Sequence, residues 1–366
     1  MSWHSSTKRL APLGPWFDRV RRDLPWRALD LDAPHPDPYA VLVSELMLQQ
    51  TQVATVIPYF TRWLETFPTP QALAEAKDDA VHKAWEGLGY YRRARFLKAA
   101  SGTVAAEGWP SDLEGLTGLP GLGPYTAAAV GAIAFQWPTP ALDGNAFRVL
   151  ARLLLIEGDP KDRAADLRCW LAPALQAHGP SRMTQALMEL GATACLPAPT
   201  CGTCPLSEQC ATHQAGRTGE IPPTVKRAKP KAAALWLVAF EAAGQVLLHP
   251  PAPRGLLAGL WRWPTFDAAL NAPKPMAHGS QPITAWPGWI QVYTHRRESV
   301  NPIHIRLDAP FAPSEGLRWV PRSDLQDLPM GKRDQRLRDL LDAPGQVPLE
   351  APGPVALIRA CASPSG

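Results

Sequence analysis

Residues 119–135 read LPGLGPYTAAAVGAIAF. After Thr126 every residue of this stretch is small or apolar, so a helix here has no polar face. Such a helix is predicted to be buried, with neighbours packed close against its backbone. Pro124 and Thr126 open it. Just ahead, Gly121 and Gly123 flank a single apolar residue. A turn of this kind can present successive backbone N–H groups to an anion at the positive end of a helix dipole. A nucleic-acid phosphate fits that site and would be bound without reading sequence. An ordinary helix–turn–helix junction uses the same residues, so the glycines alone leave both readings open.

Outward from this stretch, residues 12 to about 212 read as a run of helices. Apolar residues recur three and four apart in Trp16 to Val20, Tyr39 to Leu48, Val56 to Leu64, Phe147 to Leu155 and Met183 to Leu190. Asp37 followed by Pro38 predicts an N-cap and first helical position. Residues 213–232, HQAGRTGEIPPTVKRAKPKA, are polar, basic and proline-bearing, as a linker is. Beyond them the pattern turns to strand, in Ala234 to Glu241, Gln245 to His249, Trp289 to Thr294 and Ile303 to Leu307. Gly244 sits where a hairpin turns. Ser323 to Leu341 predicts one or two closing helices. The expected boundaries are 1–212 for a helical domain, 213–232 for a linker, 233–342 for a second domain and 343–366 for a disordered tail.

The chain has 366 residues, enough for two domains, and a net charge of +4. That mild basicity is compatible with a nucleic-acid partner. No run of about twenty apolar residues exists, which excludes a membrane-spanning helix. Met1 to Leu10 contains no signal-like apolar stretch, so a reducing, cytoplasmic location is expected.

Four sets of residues carry candidate chemistry. Cys195, Cys201, Cys204 and Cys210 stand together, and prolines 197, 199 and 205 favour a wrapping turn around one centre. An iron–sulfur cluster suits this spacing; a zinc ion, which more often uses two Cys-x-x-Cys knuckles, and a disulfide pair are the alternatives. Glu45 shares a helix face with Val41, Leu42 and Leu48. Apolar surroundings would raise its pKa and make it a general acid, although pairing with a buried arginine would satisfy it equally. Asp143, in LDGN, reads as an N-cap held ionised by backbone amides, able to stabilise a nearby cation. Gly87 to Arg95, GLGYYRRAR, mixes arginines that pair with phosphate (Arg92, Arg93, Arg95) with tyrosines that can wedge between bases. A solvated basic helix start is the plainer reading.

Six strings taken together resemble the adenine DNA glycosylase family of the helix–hairpin–helix superfamily. They are LPWR (24–27), SELMLQQTQVATVIPYF (44–60), GLGYYRRAR (87–95), LPGLGPYTA (119–127), LDGN (142–145) and the cysteine cluster. The resemblance implies a mainly α glycosylase region, built from two helical subdomains plus an iron–sulfur cluster loop, followed by a smaller α+β Nudix-like domain. It implies a monofunctional enzyme that removes adenine mispaired with 8-oxoguanine or guanine, working as a monomer on duplex DNA near the bacterial nucleoid. On that pattern Glu45 is the acid that protonates the flipped adenine, and Asp143 stabilises the sugar oxocarbenium ion. Asn145 helps order the site. Tyr125 stands where the related endonuclease III family carries its Schiff-base lysine, so little strand cleavage is implied. Trp26, Arg27, Gln185 and Glu189 match the adenine pocket. Gln50 and Tyr90 match residues that push into the duplex. The four cysteines match ligands of a 4Fe-4S cluster.

The C-terminal resemblance covers about 231 to 342 and is strongest in residues 234–264, ALWLVAFEAAGQVLLHPPAPRGLLAGLWRWP. Between Phe266 and Trp286 the only acidic residue is Asp267, so magnesium-dependent pyrophosphohydrolase chemistry is not expected. Two departures from the family pattern stand out. Five residues rather than six separate Cys195 from Cys201, and Tyr293-Thr294-His295 matches the family's Phe-Ser-His or Phe-Thr-His strand motif only in part, with tyrosine in place of phenylalanine. Thr294, His295, Ser299 and His304 are therefore the candidate contacts to the oxidised guanine. A bifunctional endonuclease III-like glycosylase/lyase is the runner-up function.

Overall fold

The computed structural model describes residues 5–223, 230–255, 257–268, 283–293, 296–345 and 361–362. Its helices are α1 (Ser6–Leu10), α2 (Leu13–Val20), α3 (Pro38–Leu48), α4 (Val53–Thr66), α5 (Pro70–Glu75), α6 (Asp78–Ala84), α7 (Arg92–Glu107), α8 (Leu113–Gly118), α9 (Pro124–Phe135), α10 (Gly144–Leu154), α11 (Ala164–His178), α12 (Pro180–Thr193), α13 (Ala211–Gln214) and α14 (Lys332–Leu340). The strands are β1 (Lys231–Ala242), β2 (Gln245–Leu248), β3 (Thr265–Asp267), β4 (Ile283–Ala285), β5 (Trp289–Val292), β6 (Arg296–Leu307) and β7 (Arg318–Pro321).

These elements fall into two compact units. One comprises residues 1–76 and 93–226; the other comprises 77–92 and 227–366. Placing 77–92 with the second unit departs from the contiguous helical domain expected from sequence. Sequence periodicity reports that a segment is helical and amphipathic, but not which core receives its apolar face.

In the helical unit, α3 begins where Asp37 Oδ1 accepts the amides of Tyr39 (3.0 Å) and Ala40 (3.1 Å). Those bonds satisfy donors that the first turn leaves open. Residues 39–47 of α3 are all buried. Helix α9 is buried from Thr126 to Ala134 and packs against α3, α8 and α12. Gly131 makes the close approach possible: a Cβ there would meet Trp137 at 2.9 Å and Thr139 Oγ1 at 3.0 Å. A second core joins α1, α2, α10, α11 and α12 through Leu10, Phe17, Leu150, Leu171 and Leu187. Each such side chain contributes about 2 kcal/mol by leaving water.

The second unit holds a mixed sheet in the order β4-β6-β1-β2-β7, with β3 on β1 and β5 on β6. Strands β1 and β6 run parallel over their full lengths; the other pairings are antiparallel. Strand β1 alternates its faces. Leu235, Leu237 and Ala239 join a tryptophan-rich core with Trp261, Trp263, Trp286 and Trp289, while Val238 and Phe240 pack with Ile303 and Ile305. Ala243 (φ 47°) and Gly244 (φ 74°) turn the β1–β2 hairpin. The closing segment is a short 3-10 turn, Arg322–Gln326, and α14.

The tail expectation needs revision at its described residues. Cys361 is buried, its carbonyl accepts from Ser314 N (2.6 Å), and Ala362 bridges Pro313. An apolar Cys361 docked on a strand-flanking loop outweighs the disorder suggested by Pro and Gly content. Residues 346–360 and 363–366 lie outside the described residues.

Candidate active site

Glu45 lies in the last turn-and-a-half of α3 and is 6% exposed. Burial pushes its carboxyl pKa up to about 7, the nearby charge of Asp143 pushes the same way, and a hydrogen bond from the Tyr125 hydroxyl draws it partly back. The phenol of Tyr125 is itself raised well above its ordinary value, first by burial and then by the two carboxylates. It is a neutral donor at any physiological pH.

Asp143 caps α10, with Oδ1 accepting from Ala146 N at 2.6 Å. Sequence reasoning expected such amides to keep it strongly ionised. Burial is the larger influence and raises its pKa, against the Ala146 and Asn145 amides and the Arg148 charge. The two carboxyls thus compete for one proton. Glu45 accepts from one phenol, whereas Asp143 accepts from two backbone amides and feels the nearby positive charge of Arg148, so the proton resides on Glu45.

Both carboxyls open on one cavity of about 290 Å³, also lined by Trp26, Arg27, Gln50, Tyr125, Asn145, Gln185 and Glu189. Every catalytic and pocket residue expected from sequence in the helical unit is therefore brought together. Val41, Leu48, Ile133 and Met188 supply apolar wall. Trp26 stacks edge-on to Phe60 at 5.3 Å. Glu189 is 1% exposed and receives Arg22 Nε (2.6 Å), Arg22 Nη2 (3.1 Å) and Arg27 Nη2 (2.7 Å). Burial alone would raise its pKa, but the two arginines together hold it below the usual carboxylate range. Arg22 was not anticipated; its position five residues before Arg27 was the available signal. Gly191 was also missed. A Cβ there would meet Asn145 Cβ at 2.8 Å, so only glycine lets α12 close against the Asp143 cap.

At the turn before α9, Gly121 has φ +80° and a Cβ would strike Phe96 at 2.3 Å, so glycine is obligatory there. Gly123 is the N-cap and has open space beside it. Arg92 is exposed and Arg95 half-buried. Arg93 corrects the sequence reading. It is 5% exposed, and its guanidinium donates to the carbonyls of Leu46 (2.8 Å), Met47 (2.7 Å) and Gln49 (2.6 Å). Those are the open acceptors at the end of α3. Arg93 thus fixes the helix that carries Glu45 rather than facing a phosphate.

Cys195, Cys201, Cys204 and Cys210 are free thiols lining one cavity between the end of α12 and α13. Among the described residues no three His, Cys, Asp or Glu side chains stand close enough to share a single ion. The donor set around that cavity nevertheless suits a polynuclear cluster, which takes one thiolate per iron and so keeps its ligands farther apart than one zinc ion does. Two arginines one turn apart on α10 support the loop. Arg148 donates to the carbonyls of Cys195 (2.8 Å) and Gly191 (2.7 Å). Arg152, 4% exposed, donates to Leu196 O (2.5 Å), Pro197 O (2.8 Å) and Ile221 O (2.8 Å), and lies 3.5 Å from Cys195 Sγ.

Residues 43–173 match the HhH-GPD superfamily of base excision DNA repair proteins. The adenine DNA glycosylase of Schizosaccharomyces pombe is 31% identical, over 86% of this chain and 85% of its own length. The chain belongs to the adenine DNA glycosylase family. The family's enzyme from Arabidopsis thaliana is 38% identical over 68% of this chain but only 46% of its own length. The chain therefore spans about half of some longer relatives. Among solved structures, a thermostable thymine-DNA glycosylase is 26% identical with a TM-score of 0.49, covering 57% of this chain and 97% of its own.

In this member of the adenine DNA glycosylase family, the exposed side chains of Gln50 and Tyr90 both stand on left-handed backbone. Gln50 has φ 58° in the helical unit, and Tyr90 has φ 48° in the second unit. Non-glycine residues adopt that region only uncommonly, and neither residue is a helix C-cap or a hairpin turn. On β6, Ser299 is half-buried. His304 is withdrawn as a base contact: it is 2% exposed, and its Nε2 stands 2.9 Å from the Glu241 carboxylate. Thr294 and His295 lie outside the described residues. No helix among the described residues is long and apolar enough to cross a membrane.

Proposed function

We propose that this protein is a monofunctional adenine DNA glycosylase acting on adenine opposite 8-oxoguanine or guanine in duplex DNA. The observation that carries the reading is the pairing of Glu45 and Asp143 in one cavity with unlike surroundings. A base inside a duplex is out of reach, so adenine must be extruded into the cavity. Glu45, protonated near neutral pH, donates to a ring nitrogen of the adenine. The C–N bond then breaks with its electron pair leaving on a neutral base. Asp143 stabilises the oxocarbenium ion left on the sugar. Water adds to that carbon, and its proton passes to a carboxylate of the pair.

Tyr125 supplies no amine, and its phenol stays protonated, so the chain offers no Schiff-base nucleophile at the hairpin. The product is free adenine and an uncleaved abasic strand. Trp26 and the apolar wall stack the base, while Arg27, Gln185 and Glu189 edge its pocket. Gly121, Gly123, Arg92 and Arg95 meet phosphates, and Gln50 and Tyr90 occupy the duplex beside the lesion. Cys195, Cys201, Cys204 and Cys210 would hold a 4Fe-4S cluster, whose contribution is to order the surrounding loop. The Nudix-like sheet unit examines the base opposite adenine.

The test is base release from matched duplexes holding A opposite 8-oxoguanine, G, C and T. Release confined to the first two, without a borohydride-trapped adduct, is the expected result. High-yield trapping would transfer the protein to the endonuclease III-like lyases, and release from none of the four would end the proposal.

A further inference from the structure

The Tyr90 loop is built into the second unit by contacts that its catalytic reading does not use. Helix α6 and the turn after it bury Val81, Trp85, Leu88 and Tyr91. The fit is close enough that a Cβ on Gly259, already at φ +82°, would meet the His82 ring at 2.3 Å. The polar contacts of Glu86 and Tyr91 converge on a single residue, Met330. Met330, 0% exposed, donates its N–H to Glu86 Oε1 at 3.0 Å and accepts the Tyr91 hydroxyl at its carbonyl at 3.1 Å. Glu86 is held in turn by Lys83 Nζ at 2.9 Å, and that ammonium also donates to the Gln326 carbonyl.

The same side chains brace the loop from within. The Tyr91 oxygen accepts the Gly87 amide at 3.1 Å, so the hydroxyl both donates and accepts. Trp85 Nε1 donates to the Gly89 carbonyl at 3.0 Å. Between these braces the chain runs through positive φ at Gly87 (98°), Gly89 (72°) and Tyr90 (48°). Tyr90 is 48% exposed. A tyrosine keeps a left-handed backbone only when its surroundings over-determine it. Here the surroundings are the Pro329–Gly331 corner ahead of α14, seated by Trp261 N on Pro329 O (2.9 Å) and by Gln335 Nε2 on Met330 O (2.7 Å).

We propose that this corner is the seat of the duplex wedge. Tyr91 and Glu86 are positioning residues that hold Tyr90 in its outward, left-handed pose. The sheet unit therefore sets the pose of the wedge through Met330. This inference rests on the glycosylase reading for the role of Tyr90, not for the existence of the seat.

The experiment uses the full chain as wild type, Tyr91→Phe, Tyr90→Ala and the double variant, with Glu86→Gln as a second route if Tyr91→Phe folds poorly. Hydrogen exchange at amides 87–91 of the free protein reads the seat. Affinity for an A·8-oxoguanine duplex and the single-turnover release rate read the wedge. Tyr91→Phe is expected to speed loop exchange about thirtyfold and to weaken duplex affinity by a similar factor, the size of its two lost hydrogen bonds. In the Tyr90→Ala background its further effect on affinity and rate is expected to fall below about twofold, because it acts through Tyr90. Unchanged loop exchange, or equal losses in both backgrounds, overturns the proposal. If wild type releases no adenine, the glycosylase reading fails, while loop exchange and the binding cycle still decide the seat. Normal release by wild type with an additive cycle sinks the seat alone.

Discussion

Glu45→Gln should make the protein more stable while abolishing adenine release. An unfolded glutamate titrates near 4.5, and the folded Glu45 near 7. Between those values the unfolded chain loses its proton and the folded chain keeps it, so stability falls as pH rises through this window. The raised pKa corresponds to about 3 kcal/mol of lost stability at pH 8, shrinking to about 1 kcal/mol at pH 5. Glutamine keeps the volume of the side chain, accepts the Tyr125 hydroxyl and carries no charge to desolvate. Denaturant unfolding of wild type and variant should therefore show stabilisation that is large at pH 8 and mostly gone at pH 5. Single-turnover assays on an A·8-oxoguanine duplex should show loss of base release with mispair binding retained. A stability difference that does not change with pH would refute the reasoning, as would normal release by the variant.

Further outcomes follow from the same contacts. Tyr125→Phe removes the hydrogen bond that lowers the Glu45 pKa, so the alkaline limb of the pH–rate profile should move to higher pH; movement to lower pH would contradict this geometry. Glu189→Ala leaves Arg27 without its anion and should destabilise the helical unit by about 3 kcal/mol in denaturant unfolding. Arg152→Met removes three charge-assisted bonds to the loop around the cysteines. Iron and sulfide content per chain should drop relative to wild type while the far-ultraviolet helix signal is retained.

Much of the site was legible in the sequence because its residues sit at signposts. Asp143 precedes a helix as Asp-Gly-Asn, Asp37-Pro38 marks the start of α3, and the apolar spacing around Glu45 places it inward. The buried character of α9 followed from TAAAVGAIAF alone. What escaped depends on long-range packing. Arg93 shares its string with an exposed and a half-buried arginine, and only the fold shows that the carbonyls of 46, 47 and 49 lie within its reach. The need for glycine at 191 arises from an approach to Asn145, 46 residues earlier in the chain (191 − 145). Segment 77–92 reads as one more helix in a helical run, yet its buried face belongs to the sheet unit. His304 alternates like any strand residue, and nothing local announces that Glu241 will cover it.

The most direct test is the pH dependence of single-turnover adenine release by wild-type protein on an A·8-oxoguanine duplex. Release should fall as pH rises past about 7, where Glu45 gives up its proton, and should fall again in acid as Asp143 gains one. A rate that climbs through neutrality with increasing pH would mean that no carboxylic acid delivers the hydrogen to the leaving purine.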